Sequence, residues 1–172
     1  VFITQLEQPM PAALRALQIA RAGGATTILN PAPAAPLTDQ MLALCDYVTP
    51  NETEAEALTG LPVGTLAEAE KSADALMTRG AGAAIITLGD KGALFRDRTR
   101  SVHVPVFKSG PVVETTGAGD AFNGGFAVAL AEGRDPVEAV RFGCATASIS
   151  VTRAGTPPQM HSRAEIEALL RR

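Results

Sequence analysis

Short apolar runs alternate with longer segments of helical periodicity along the first half of the chain. Between the first two runs, Ala12–Ala22 has apolar residues three or four positions apart and predicts a helix that ends at Gly23. Strands that alternate with helices are typical of βαβ units, so we expect a largely parallel sheet flanked by helices. The apolar runs predict strands at Val1–Leu6, Ala25–Leu29, Asp46–Thr49 and Ala83–Leu88.

The sequence after Leu88 predicts an antiparallel edge to the sheet, and further helices are predicted along the chain. Two runs that follow a turn after Leu88, Ala93–Arg96 and Val102–Phe107, are predicted to be antiparallel strands at the edge of the sheet. Ser162, with Glu165 three residues later, forms a capping-box pattern at the start of a last helix. The other predicted helices are Asn51–Leu58, Leu66–Arg79, Ala118–Glu132 and Pro136–Val151. The predicted fold class is therefore α/β, with an antiparallel edge on a largely parallel sheet.

The charge and hydropathy of the chain argue against nucleic-acid and membrane partners. The sequence has 18 acidic and 15 basic residues, a formal net charge of −3, and no Lys/Arg block longer than Arg171-Arg172. A nucleic-acid binder usually carries a basic patch, so we expect no nucleic-acid partner. No apolar run approaches the roughly 18 residues of a membrane span, and the N-terminus has no signal-peptide pattern. We therefore expect a cytoplasmic protein without a membrane partner.

The glycine-rich run Thr115–Gly125, TTGAGDAFNGG, lies at the start of a predicted alanine-rich helix. Backbone N–H groups at such a helix start can approach an anion closely, and the helix dipole favours negative charge there. Asp120 in the same turn supplies a carboxylate that can take a proton from an acceptor hydroxyl, as phosphoryl transfer requires. The run matches neither a P-loop nor a dinucleotide fingerprint. On the residues alone, a phosphate cradle with a base and a plain tight turn both stay open.

The same run resembles the C-terminal signature of the ribokinase-type (PfkB) sugar kinase family. The resemblance continues through NPAPA at Asn30, TPNETEAE at Thr49 and TLGDKG at Thr87, in the family's order and over essentially the whole chain. It implies a ribokinase-like fold that uses ATP to phosphorylate a sugar hydroxymethyl group, with D-ribose as the expected acceptor. The alternatives are a related kinase for fructose-type, keto-deoxy sugar acid or nucleoside substrates, and a nucleotide-binding fragment without catalysis.

The resemblance also implies a role for individual residues. Asp120 matches the catalytic base, and Gly117, Ala118 and Gly119 match the anion hole that stabilises the transferring phosphoryl group. Glu7 matches a position near the sugar, together with Asp120. The implied nucleotide contacts are Asn51, Thr87, Gly89, Asp90, Lys91, Gly92, Gly119, Asp120 and Cys144. The implied metal positions are Glu54 for Mg²⁺, and Glu114, Thr116, Ser150, Arg153 and Gly155 for K⁺.

Several of these residues also have a purely structural interpretation. Asn51 stands directly before ETEAE and suits a helix cap as well as an ATP contact. Thr87–Gly92 can be a hairpin turn instead of a nucleotide loop. Glu54 can lie on a solvated helix face, and Glu7 can be a solvated acid that ends a strand.

The chain departs from the family pattern at two of the implied positions. Glu114 stands where the family typically has Asp, and Cys144 stands where it often has His or Asn beside the adenine; a thiol forms only weak hydrogen bonds. The chain also begins on the strand-like run at Val1, so we expect that sequence upstream is missing. In the family that upstream part carries most sugar contacts and a β lid that mediates dimerisation. We therefore expect the full-length protein to be a homodimer.

Overall fold

The computed structural model describes residues 1–155 and 162–171 and contains a sheet of six strands in sequence order. The strands are β1 (Phe2–Thr4), β2 (Thr27–Leu29), β3 (Tyr47–Val48), β4 (Ala83–Thr87), β5 (Ala93–Arg96) and β6 (Ser101–Val104). The helices are α1 (Met10–Ala22), α2 (Asp39–Leu42), α3 (Glu52–Thr59), α4 (Leu66–Thr78), α5 (Ala118–Ala131), α6 (Pro136–Ser150) and α7 (Arg163–Leu170). Within the described residues, no helix combines the length and apolar character that crossing a bilayer requires.

The first four strands pair in parallel, as the alternation of strands and helices predicts. Thr4 lies beside Leu29, and Val48 of β3 lies between Leu29 and Ala84 of its neighbours. Residues 83–86 of β4 are buried without a break, which is typical of a parallel strand covered on both faces. Strands β5 and β6 form the antiparallel edge. The predicted fold class, a largely parallel sheet with helices around it and an antiparallel edge, is confirmed.

These elements belong to two compact units. The first comprises Val1–Gly89 and Leu94–His103, and it therefore holds α1 to α4 and nearly all of the sheet. The second comprises Asp90–Ala93 and Val104–Arg172, and it holds α5 to α7. In the first unit, Leu17 of α1 and Leu29 of β2 lie in one buried cluster, and apolar residues of α4 and β4 share another.

Some element bounds differ from the sequence prediction for local chemical reasons. Strand β6 ends at Val104, not at Phe107, because Pro105 has no N–H to donate to a strand partner. Helix α2 was not predicted, since four residues are too few to show a helical period. It begins where the Thr38 hydroxyl accepts a hydrogen bond from the Met41 N–H at 3.3 Å. The strands are also shorter than their apolar runs.

Helices α5 and α6 of the second unit pack at very close range. A Cβ added to Gly125 of α5 would lie 2.5 Å from Thr146 Oγ1, and a Cβ added to Gly143 of α6 would lie 2.8 Å from the Phe122 carbonyl oxygen. Only glycine permits this approach at either position. One turn apart on α5, the rings of Phe122 and Phe126 are nearly parallel with centroids 6.0 Å apart. This packing holds the body of α5 in place behind its first turn.

Candidate active site

The start of α5 is an open helix N-terminus. Gly117 caps it with a φ of 77°, a left-handed conformation that glycine adopts without strain. The Ala118 N–H donates to the Thr115 carbonyl oxygen at 3.1 Å, and the first hydrogen bond across a full helical turn is that from the Ala121 N–H to the Gly117 carbonyl oxygen at 2.9 Å. The N–H groups of Gly119 and Asp120 precede that bond and belong to the open end of the helix. Gly119 and Asp120 are exposed, and a Cβ added at Gly119 would meet nothing within 4 Å. This turn can hold an anionic group close to an exposed carboxylate.

A buried amide lies directly behind this turn. Asn123 of α5 is only 5% exposed, and its Nδ2 donates a hydrogen bond to the Gly119 carbonyl oxygen at 2.9 Å. Asn123 is not among the site residues predicted from the sequence. The available signal was a single amide in the run AFNGGF, whose other residues are alanine, glycine and phenylalanine. Its burial is a property of the tertiary structure and does not follow from the local sequence.

In the first unit, Asn51 and Glu54 form a reciprocal capping box at the start of α3. The Asn51 Oδ1 accepts from the Glu54 N–H at 2.8 Å, and the Glu54 Oε2 accepts from the Asn51 N–H at 2.9 Å. Asn51 is exposed, whereas Glu54 is buried. Burial raises the pKa of the Glu54 carboxyl, and the hydrogen bond from Asn51 opposes part of that rise. The cap interpretation of Asn51 is confirmed, and its contact with ATP stays a prediction.

Hydrogen bonds link the residues at the carboxyl ends of the parallel strands. In open α/β sheets, ligands bind at this edge. The Asn30 N–H donates to the Thr4 carbonyl oxygen at 2.9 Å, and the buried Asn30 Nδ2 donates to the Thr49 carbonyl oxygen at 3.0 Å. Asn51 forms an isolated parallel bridge with Thr87 at the end of β4. Asn51 and Thr87 are therefore neighbours, as a nucleotide contact shared by the two segments requires. Glu7 is exposed beyond the end of β1.

The segment after β4 is a tight turn. Gly89–Lys91 forms a 3₁₀ turn whose residues are all exposed, and Gly92 is buried immediately before β5. The turn interpretation of this segment is therefore correct. The predicted nucleotide contacts of Thr87, Gly89, Asp90, Lys91 and Gly92 stay predictions.

The residues predicted to bind a monovalent cation lie in the second unit. Glu114 Oε2 accepts a hydrogen bond from the Gly155 N–H at 2.9 Å, and the Glu114 N–H donates to the Val151 carbonyl oxygen at 3.2 Å. The longer side chain that replaces the family's aspartate thus reaches the turn that follows α6. A carboxylate beside backbone carbonyls is a donor set that suits a hard cation.

The other residues predicted to bind the cation are Thr116, Ser150 and Arg153. The Arg153 N–H donates to the Ser150 carbonyl oxygen at 3.3 Å, and the Arg153 guanidinium pairs with Glu165 of α7. Thr116 is exposed before α5, and no hydrogen bond joins it to these residues within the described part of the chain. A shallow cleft of about 250 Å³ beside them is lined by Ser109, Ile149, Thr152, Arg153, Glu165, Ala168 and Leu169.

Cys144 lies on α6 and is buried. The residue is 5% exposed, and burial raises the pKa of its thiol to about 12. The thiol is therefore protonated at neutral pH and forms at most weak hydrogen bonds. A contact between Cys144 and the adenine ring stays a prediction, and packing is the interaction that this side chain can offer.

Sequence comparison relates this chain to sugar kinases. The model of the pfkB family carbohydrate kinases matches residues 3–163. A ribokinase of Haemophilus influenzae is 44% identical over 163 residues, which cover 95% of this chain and 53% of that protein. A deoxyribokinase of Salmonella typhi is 40% identical over 157 residues, with coverages of 91% and 51%. The chain thus spans about half the length of these curated relatives.

Comparison with a solved structure shows that the fold is also similar to that of a sugar kinase. Arabidopsis thaliana ribokinase complexed with ribose and ATP superposes with a TM-score of 0.93 at 30% identity. The superposition covers 98% of this chain and 55% of that one. The predicted ribokinase-like fold is therefore confirmed, while the roles of the individual residues stay predictions.

Proposed function

This chain belongs to the pfkB family of carbohydrate kinases, and we propose that the protein transfers the γ-phosphoryl group of ATP to a sugar hydroxymethyl group. The observation that carries the proposal is the exposed Asp120 carboxylate in the open first turn of α5, beside the glycines of the helix start. D-Ribose is the proposed acceptor and ribose 5-phosphate the product. The ribokinase name of the Haemophilus influenzae relative and the ribose and ATP of the Arabidopsis thaliana structure support this choice.

Asp120 acts as the general base in the proposed reaction. Its carboxylate takes the proton of the sugar hydroxyl, and the hydroxyl oxygen forms a bond to the γ-phosphorus while the bond to the β-phosphate bridge breaks. ADP leaves with the bridging oxygen. The backbone N–H groups of Gly117 and Gly119 stabilise the negative charge on the transferring group, aided by the dipole of α5. The Ala118 N–H joins them in this proposal by exchanging the Thr115 carbonyl oxygen for a phosphoryl oxygen.

Glu54 is the residue that we assign to Mg²⁺, which neutralises phosphate charge when it is bound with ATP. Mg²⁺ keeps several waters and takes few protein ligands. Glu54 already accepts the Asn51 N–H, so a water-mediated contact through its carboxylate fits its geometry. Among residues 1–155 and 162–171, no group of three or more His, Cys, Asp or Glu side chains could hold a metal ion.

Replacement of Glu54 by glutamine distinguishes the role of Glu54 in the helix cap from its proposed role in Mg²⁺ binding. Glutamine can still accept the Asn51 N–H, and loss of the charge removes the cost of burying it, so stability should not fall. The Mg²⁺ concentration for half-maximal activity should rise about tenfold. The matched control is Glu68→Gln in the second capping box, Thr65 with Glu68 of α4. Equal Mg²⁺ dependence of the two variants would leave Glu54 as a cap alone.

For K⁺, we propose Glu114, Thr116, Ser150, Arg153 and Gly155 as the source of ligands. The contact of the Glu114 carboxylate with the turn at Gly155 supports this proposal. The cation would fix the loop that leads from Glu114 into α5. We further propose that the complete protein is a cytoplasmic homodimer, in keeping with the family resemblance.

A substrate panel tests the proposed function. Sugar-dependent ADP release by the complete protein is measured with ribose, 2-deoxyribose, fructose, a keto-deoxy sugar acid and a nucleoside. We expect kcat/KM for ribose to exceed kcat/KM for each of the other acceptors by at least about tenfold. A single hydrogen bond that strengthens in the transition state has an effect of this size. Deoxyribose is included because of the Salmonella typhi relative. A higher kcat/KM for another acceptor would replace ribose as the proposed substrate. ATP binding without any sugar-dependent ADP release would contradict the kinase function and indicate a protein that only binds nucleotide.

A further inference from the structure

Asn123 is a buried amide in a helix whose other residues, apart from Asp120, are glycine or apolar. The residues around it on α5 include buried Ala121, Phe122 and Phe126. An amide taken out of water without a hydrogen-bond partner costs about 1–3 kcal/mol, so a buried asparagine needs a specific partner. The Nδ2 of Asn123 donates to the Gly119 carbonyl oxygen at 2.9 Å.

The acceptor of this hydrogen bond lies in the first turn of α5. Helix ends fray, and glycine has more conformational freedom than any other residue. Gly117 and Gly119 both lie in this turn, which precedes the tightly packed part of the helix. A side chain anchored in the packed part can therefore restrain the turn, and Asn123 is placed to do so.

The restraint reaches the groups that the proposed chemistry uses. The Gly119 carbonyl and the Asp120 N–H belong to one planar peptide unit. A hydrogen bond that fixes the Gly119 oxygen therefore also orients the Asp120 N–H and the bond from which the Asp120 side chain extends. The direction of a hydrogen-bond donor matters, because the interaction weakens steeply when the angle departs from linearity.

We propose that Asn123 is a positioning residue for the reaction: it holds the Gly119–Asp120 peptide so that the anion-binding turn and the base keep their orientation. The inference rests on the proposed function of Asp120 and adds a residue to it. Asn123 itself is buried behind the turn and acts through Gly119. Its loss should lower the rate of phosphoryl transfer more than the affinity for ATP.

Threonine and valine at position 123 form a matched pair for the test. Their side chains have the same shape, but only threonine can donate to the carbonyl four residues earlier. Helical threonines of this chain make that bond: Thr146 donates to the Phe142 oxygen at 2.7 Å, and Thr59 donates to the Ala55 oxygen at 2.7 Å. Asn123→Thr should therefore keep a donor to Gly119, whereas Asn123→Val should lose it.

The experiment compares steady-state kinetics and amide hydrogen exchange of both variants in the complete protein. Asn123→Thr should keep kcat within about threefold of the parent, and Asn123→Val should lose about tenfold in kcat at nearly unchanged KM for ATP. Exchange of the Gly119 and Asp120 amides should be about tenfold faster in the valine variant. Equal kcat and equal exchange in the two variants would overturn the proposal.

The exchange measurement keeps this inference separate from the proposed function. If the parent protein phosphorylates no sugar, the proposed function fails, yet faster exchange in Asn123→Val than in Asn123→Thr still supports the restraint of the turn. If the parent is active and the two variants exchange alike, the positioning role fails while the kinase function stands. Thermal melting of both variants checks that they fold equally well.

Discussion

Replacing Asp120 by asparagine in the complete protein should lower kcat by about a thousandfold and leave the affinity for ATP nearly unchanged. The amide has the size of the carboxylate but cannot take the proton of the attacking hydroxyl, and loss of a general base typically costs 10²- to 10⁴-fold. The proposed phosphate contacts are backbone N–H groups of the helix start, which the substitution does not remove. Steady-state kinetics with calorimetric titration of ATP measures both quantities.

Asp135 provides the matched control for this substitution. It caps α6 in the same unit, where its Oδ1 accepts the Val137 N–H at 2.9 Å. Asparagine is an equally good cap, so Asp135→Asn should change neither stability nor kcat by much. A kcat for Asp120→Asn within a few-fold of that control would remove Asp120 as the base.

A methyl group added at Gly119 should reduce kcat/KM for ATP by about a hundredfold without destabilising the fold. The structure leaves open space around the position, and its backbone is not in the left-handed region. The Cα–Cβ bond of a helical residue points towards the helix N-terminus, so the methyl group would enter the space where we place the phosphoryl group. Losses of about 10²- to 10³-fold follow when an anion hole is disturbed.

Gly124→Ala controls for the effect of alanine on the helix. Gly124 also lies on α5 and also has open space around an added Cβ, but it is beyond the first turn. Both alanine variants should melt at or slightly above the temperature of the parent, because alanine is favoured over glycine in a helix by roughly 0.5–1 kcal/mol. Equal kcat/KM in the two variants would show that no ligand approaches Gly119.

Much of the fold could be predicted from the sequence because its signals are local. The period of apolar residues in Ala12–Ala22 predicted α1, and the helix predicted at Leu66–Arg79 corresponds to α4. The glycine-rich run predicted the start of α5 within a residue. Elements without enough residues to show a period, such as Asp39–Leu42, could not be predicted in this way.

The candidate site was predictable in part. Asp120 and Gly119 were selected from the small residues at a helix start, and both are exposed there. Asn123 and the burial of Glu54 were not predicted, since the same letters on a solvated helix face would give the same sequence pattern. The difference is whether a second helix or a strand covers them.

The sequence by itself determined the alternation of strands and helices, the start of α5 and the family to which the chain is similar, because periodicity, capping and glycine content act within a few residues. Only the tertiary structure decided which side chains are buried and which distant groups meet. Glu114 reaches the Gly155 N–H across a separation of 41 residues, and glycines let α5 and α6 pack at close range. Such contacts depend on the packing of whole elements, which no local pattern contains.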